Sequence, residues 1–287
     1  MASQHHPPSW FSGRRLAIAT KHRKEQAIAP ILERELGVRC FTPDGLDTDA
    51  LGTFTGEIER TLDPLAAARE KCRLAMDVSG CDLAVASEGS FGMHAALFFV
   101  HAGDEILLLC DRKNDLEITA RELSTSTNFN GTEVGTEAAL LDFAARVGFP
   151  SHALILRNAE GGTDYLAKGI TTQTDLIHHF HHLINQYGAA WVETDMRALF
   201  NPMRMQAIAI AAQKLAERAK TPCPACQAPG FGPTGVKTGL PCSWCGLPTR
   251  SVLSERHACQ KCDLEEEHLH PYGRTAEDPQ YCDYCNP

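Results

Sequence analysis

Eight cysteines fall in the last 65 residues as four Cys-x-x-Cys pairs: Cys223 and Cys226, Cys242 and Cys245, Cys259 and Cys262, Cys282 and Cys285. A pair at this spacing forms a knuckle, and two knuckles supply the four thiolates of a tetrahedral zinc ribbon. Fifteen residues separate the first pair from the second and nineteen the third from the fourth, so consecutive pairs are expected to share a metal, giving two zinc ions. The spacing also admits crossed pairing, or replacement of a cysteine by His257, His268 or His270. Four thiolates leave zinc no position for water or substrate, so these sites should hold the fold rather than perform chemistry.

A second group of chemically suggestive residues begins at "ATKHRKE". Leu16 to Thr20 reads as a buried strand, and Ile28, Ile31, Leu32 and Leu36 recur at helical spacing. Lys21, His22, Arg23 and Lys24 therefore fall at a helix start, where the backbone already carries about half a positive charge and prefers acids. Cations there make sense if an anion such as phosphate binds, so Lys21, Arg23 and Lys24 are candidate phosphate ligands. In "ASEGSFGMH", Glu88 follows an apolar strand and sits beside two glycines that would let a ligand approach, although an ordinary turn explains the glycines nearly as well. In "AWVETDMR", Glu193, Asp195 and Arg197 occupy alternate positions of an extended segment. Two carboxylates so placed can hold magnesium while the guanidinium contacts phosphate; a solvated strand end with a local ion pair is an equal reading. Arg204 brings another cation to the start of the last helix. His178, His181 and His182 share a helix face, most simply as an exposed histidine-rich surface.

These residues need a scaffold. The chain of 287 residues is 43% hydrophobic, enough for a sizeable core plus an appendage. Apolar strands are expected at 16–20, 38–42, 82–87, 95–100, 105–111, 153–156 and 190–195. Amphipathic helices are expected at 22–36, 62–78, 133–147, 171–186 and 202–219. The alternation predicts an α/β domain over 14–220 with a mixed, mainly parallel sheet flanked by helices, followed by a double zinc-ribbon region over 221–287. "HAGD" reads as the turn of a hairpin interrupting the parallel order. Residues 1–13 are expected to be a disordered tail. Cys40, Cys72, Cys81 and Cys110, in apolar surroundings, read as buried free thiols.

Composition narrows the function classes. A net charge of -9 and the acidic run Asp263 to His268 disfavour nucleic acid. Neither a leader-like start nor a long apolar run is present, which points to a cytoplasmic protein without a membrane partner. There is no Gly-x-Ser-x-Gly elbow, no Gly-Lys-Ser/Thr phosphate loop and no His-Glu-x-x-His, which removes several common hydrolase and kinase readings.

Two resemblances add to this reading. From about Arg14 onward, "ATKHRKE", "TFTGEIERTLDPLAAAREKC", "SEGSFG", "ELSTSTNF", "ETDMRALFNPMRM" and "CPACQAPGFG" resemble an uncharacterised bacterial family that carries only a domain-of-unknown-function label. Residues 14–125 also resemble the house-cleaning pyrophosphatases of inosine and xanthosine triphosphates. There the basic helix start contacts phosphate and acids hold magnesium. That resemblance implies magnesium-binding roles for Glu57, Glu59 and Glu88. The match departs where His22 and Glu25 stand at the Asn and Lys places of the Thr-x-Asn-x-x-Lys pattern.

The combined expectation is a magnesium-dependent phosphohydrolase acting on a nucleotide or similar phosphorylated metabolite. Lys21, Arg23, Lys24 and Arg197 would hold phosphate, and Glu88, Glu193 and Asp195 would hold magnesium. The competing expectation is a non-catalytic ligand sensor or adaptor whose zinc ribbons contact a protein partner.

Overall fold

The computed structural model describes residues 10–46, 62–94, 97 and 99–287. Glu57 and Glu59 lie outside the described residues. The chain divides into two compact units, Phe11–Ala216 and a C-terminal one comprising Glu217–Pro287 with Trp10. The folded chain reaches back to Phe11, which is buried, and Gly13 N–H donates to the Gly37 carbonyl.

The larger unit contains two sheets rather than one. The first is built from β1 (Arg15–Ala19), β2 (Arg39–Phe41), β3 (Leu83–Met93), β4 (His101–Asp111) and β5 (Leu116–Ser124), in the order β2-β1-β3-β4-β5. β1 pairs in parallel with β2 and β3, whereas β3–β4 and β4–β5 are antiparallel. The second is fully antiparallel: β6 (Gly131–Val134), β7 (Leu154–Arg157), β8 (Leu166–Ile170) and β9 (Ala190–Thr194), in the order β6-β9-β7-β8. The expected mainly parallel sheet is thus corrected: only the β2-β1-β3 part is parallel. The expected hairpin of 95–100 with 105–111 is corrected as well: the antiparallel partner of β4 is β3, "HAGD" lies inside β4, paired with Phe91, Gly92 and Met93 and with Ser90, and residues 95, 96 and 98 lie outside the described residues. Gly103 permits this because a side chain there would run into the Phe91 ring.

Among the described residues, five α-helices connect these strands: α1 (Glu25–Leu36), α2 (Pro64–Ser79), α3 (Glu137–Arg146), α4 (Gln173–Tyr187) and α5 (Pro202–Lys220). Asp63, Thr136 and Thr172 cap α2, α3 and α4 by accepting from backbone N–H groups one turn in, and Pro64 starts α2 where its missing N–H costs nothing. α1 has no side-chain cap. Strand alternation sorts the first sheet's two faces. Ala17, Ala19, Ala84, Ala86, Leu108 and Cys110 pack against Ala68, Cys72, Ala75 and Met76 of α2. Small residues on both sides bring α2 close to the sheet. In the second sheet Leu154, Leu156, Ala190 and Val192 bury one face under Leu140 and Phe143 of α3 and Leu176, Phe180 and Leu183 of α4. Of the four scattered cysteines, Cys72, Cys81 and Cys110 are buried free thiols and Cys40 is only partly covered.

The C-terminal unit is a small antiparallel sheet, β10 (Gly232–Thr238), β11 (Val252–Ala258) and β12 (Glu265–Leu269), with the Cys pairs at its margins. Among the described residues no helix is long and apolar enough to cross a membrane.

Candidate anion site and metal centres

β1 stops at Ala19, which pairs with Ala86, while β3 continues to Met93. The turn from Thr20 to Lys24 follows at that point, so Ser87 and Glu88, inside β3, lie just past the carboxyl end of β1. Such ends are where open α/β sheets bind ligands. Lys24 turns inward here. It is 8% exposed, and its Nζ donates to both the carbonyl and the hydroxyl of Ser87 at 2.9 Å. Its two acceptors are neutral, so burial, helped by the nearby Arg204 charge, lowers its pKa to about 7 against the opposing pull of Glu105 and Glu88.

Ser87 and Glu88 leave β3 on opposite faces. On the α2 face Glu88 forms a buried ion pair with Lys71. On the other face Gly89 stands opposite Glu105 of β4, and the Glu105 carboxylate accepts from Arg204 Nε at 2.5 Å. Arg204 also donates to the Met196 carbonyl and lies over the Phe91 ring. Lys24 thus lies near two ion pairs, Lys71 with Glu88 on one face of the sheet and Arg204 with Glu105 on the other, and the turn that carries it also holds exposed Lys21 and Arg23. Arg23 adopts a left-handed backbone, φ 56°, which breaks the chain out of the strand before α1 begins.

The other expected ligands are elsewhere. Asp195 is fully buried and occupied by its neighbours: Arg197 donates through Nε at 2.9 Å and Nη2 at 2.5 Å, and the backbone N–H groups of Arg197 and Gly169 complete the set. Arg197 in turn lies over Phe200. This is a structural clamp holding the chain after β9 against β8, and it engages both residues fully with each other. Glu193 pairs with Arg157, Nε to Oε1 at 2.8 Å, and accepts from the Trp191 indole N–H at 2.9 Å. Glu88, Glu193 and Asp195 therefore each have a cationic partner. Among the described residues, the only groups of three or more His, Cys, Asp or Glu ligand atoms within 4.8 Å of one another are two sets of cysteines. The histidine-rich face of α4 follows the simpler expectation: His181 meets Glu137 at the surface and His182 stacks on Tyr165.

Lys71 and Glu105 escaped sequence reading, although Lys71 had a signal: it stands between Ala67 and Ala75 at i,i+4 spacing along the buried row of α2. A cation on that row needs a buried anion to face.

The cysteine sets are crossed. Cys223 and Cys226 join Cys259 and Cys262; Cys242 and Cys245 join Cys282 and Cys285. This corrects the expected consecutive pairing, and His257, His268 and His270 belong to neither set. His257 instead stacks on His268 at 4.0 Å, each beside a glutamate of its own strand. Sulfur separations of 3.7 Å (Cys223–Cys262), 3.5 Å (Cys226–Cys259), 3.9 Å (Cys242–Cys285) and 3.7 Å (Cys245–Cys282) fit a metal. A tetrahedron with bonds of about 2.3 Å has edges of roughly 3.8 Å. The first two knuckles share one backbone pattern. Cys223 and Cys242 donate to the carbonyls of Ala228 and Leu247, and left-handed Gln227 and Gly246 bring the chain around. Backbone N–H groups of Cys245 and Trp244 lower the Cys242 thiol to about 7 against the effect of burial, which readies a thiolate for a cation.

The chain thus combines an α/β unit, with buried Lys24 and two ion pairs where β1 ends, and a C-terminal unit carrying two crossed four-cysteine sets. The chain belongs to the family described as a domain of unknown function (DUF6671), whose model matches residues 71–287. No curated protein matches the chain.

Proposed function

We propose that the α/β unit binds a phosphorylated, nucleotide-like metabolite at the notch between β1 and β3 as a sensor or adaptor, and that the two four-thiolate sets hold structural zinc. The observation that carries the reading is the arrangement of charge. Lys24, whose Nζ donates to neutral oxygens of Ser87, follows exposed Lys21 and Arg23 in the turn after β1, in a protein that is acidic overall, while the neighbouring Lys71 and Arg204 are matched by Glu88 and Glu105. Phosphate arriving there would meet the cationic side chains of the turn that precedes α1. The magnesium phosphohydrolase reading has less support, because Glu88, Glu193 and Asp195 are each neutralised by a cation and belong to separate clusters.

Calorimetric titration of the full chain with inorganic phosphate, pyrophosphate and a nucleotide panel, beside an assay of released phosphate with magnesium, tests both readings. Binding without turnover, weakened at least tenfold by Lys24→Met, is expected. Magnesium-dependent turnover lost in Glu88→Gln would establish the hydrolase instead, and absence of any anion binding would overturn the site.

A further inference from the structure

The second sheet hides one face under α3 and α4, and its opposite face remains. Trp191 and Glu193 alternate onto that face of β9, with Arg157 and Ile155 beside them on β7. A cavity of about 490 Å³ opens there, within the range of small-molecule sites. Its walls include the rings of Trp191, Phe129 and His101, the last two meeting edge to face at 5.3 Å. Gly131 lets the indole lie against the backbone, since a side chain at 131 would strike the Trp191 ring. The cavity is therefore flanked by flat aromatic surface.

Its polar groups are matched. Arg157, 5% exposed, is neutralised by Glu193, and Glu160 at the rim adds negative charge. Phosphate gains little from such a site. Glu193 Oε2 accepts one hydrogen bond, from Trp191, and a carboxylate oxygen accepts two, so it retains an acceptor position for an incoming N–H. A planar ring stacked on indole with an amino edge toward the carboxylate satisfies both the shape and the chemistry.

We infer that this cavity is a second ligand site, taking a planar nitrogen heterocycle that carries an amino group, such as adenine or cytosine, stacked on Trp191 with its N–H on Glu193. The inference stands on this cavity alone and does not require phosphate to bind the notch.

Full-length protein titrated with adenine, adenosine, cytidine and uridine, all without phosphate, tests it by calorimetry and by quenching of tryptophan fluorescence. Adenine, adenosine and cytidine should bind at least tenfold more tightly than uridine, whose ring N–H is flanked by carbonyls that face the carboxylate unfavourably. Trp191→Ala should weaken them at least tenfold. Trp191→Phe, which keeps a stacking ring and the fold, should stay within a few-fold of wild type. Failure of every heterocycle to bind at millimolar concentration, or equal binding by the Ala and Phe variants, overturns the inference. Adenine binding without inorganic phosphate binding supports this cavity while refuting the notch; phosphate binding without adenine binding does the reverse.

Discussion

Glu105 and Arg204 form an ion pair that is almost completely removed from solvent, 1% and 6% exposed, and the pair fits only because position 89, directly across the β3–β4 ladder, is glycine. A side chain there would collide with both the carboxylate and the guanidinium. Leaving one buried charge without its partner costs about 3–5 kcal/mol, whereas replacing both by apolar groups of similar volume costs much less. Arg204→Leu should therefore destabilise the α/β unit by about that amount, and adding Glu105→Leu should recover part of the loss. Gly89→Ala should cost about 2–4 kcal/mol by forcing the pair apart. Urea unfolding of the three variants checks this; a double variant as unstable as Arg204→Leu alone would show that the lost Met196 contact dominates.

Lys24 should give the protein a distinctive pH response. Its folded-state pKa is lowered to about 7 by burial, while an unfolded lysine titrates near 10.4. Between those values the unfolded chain holds more protons, so this group makes stability rise as pH goes from about 7 to 10, with its full penalty present below 7. Lys24→Met lacks that dependence, so wild-type stability should climb more steeply over the window. An anion in the notch favours the charged ammonium. Phosphate affinity should accordingly fall as pH rises through 7, and binding should take up a proton, measurable by calorimetry in buffers of different ionisation enthalpy. Parallel stability curves for the two proteins would mean that Lys24 stays charged in the fold.

Asp195 invites a different test, because its sequence context admits either magnesium binding or a local ion pair, and in the structure it pairs with Arg197. Asp195→Asn places an amide nitrogen among donors that need an acceptor, so it should cost about 3–5 kcal/mol and loosen the segment between β9 and α5. Magnesium titrations of wild type and variant should coincide. A divalent-ion response present only in the wild type would return the residue to its metal role.

What the sequence made legible follows the physics of each signal. Helical periodicity located all five helices of the α/β unit, because each has an apolar stripe and usually a capping residue such as Asp63 or Thr172. β6 and β8 were hidden, since each is four or five residues long, carries polar side chains and has a partner distant in sequence. The extension of β3 past Ser87 was hidden for a related reason. Glu88 and Gly89 look like a turn until Lys71, Glu105 and Arg204, from three other elements, supply the charges that let them continue a strand. Cations before α1 were readable from the chain, and so was the local pairing of Asp195 with Arg197 two residues on; the pairing of Glu193 with Arg157 was not, because an ion pair between residues distant in sequence leaves no spacing in the chain. The cysteines made a similar division. Cys-x-x-Cys identifies knuckles, but consecutive and crossed sets require the same four pairs.

Crossed ligation has consequences that consecutive ribbons lack. Each metal ties an early knuckle to a late one, with Cys242 and Cys245 lying between the two halves of the first set, so the sites interlock through the chain. Zinc at such sites supplies on the order of 10 kcal/mol of folding free energy in comparable peptides, and this unit has few large buried apolar residues beyond Phe231 and Leu240. Chelation should unfold residues 221–287 while the α/β unit, with its own cores, keeps its circular dichroism. Paired substitutions then read the connectivity directly. Cys242→Ser with Cys282→Ser should leave about one metal ion per chain, because both belong to one set, whereas Cys242→Ser with Cys259→Ser should leave none. Consecutive pairing would abolish both sites in either double variant. Elemental analysis of the purified proteins distinguishes these outcomes, and retention of metal by the Cys242/Cys259 variant would refute the crossed arrangement.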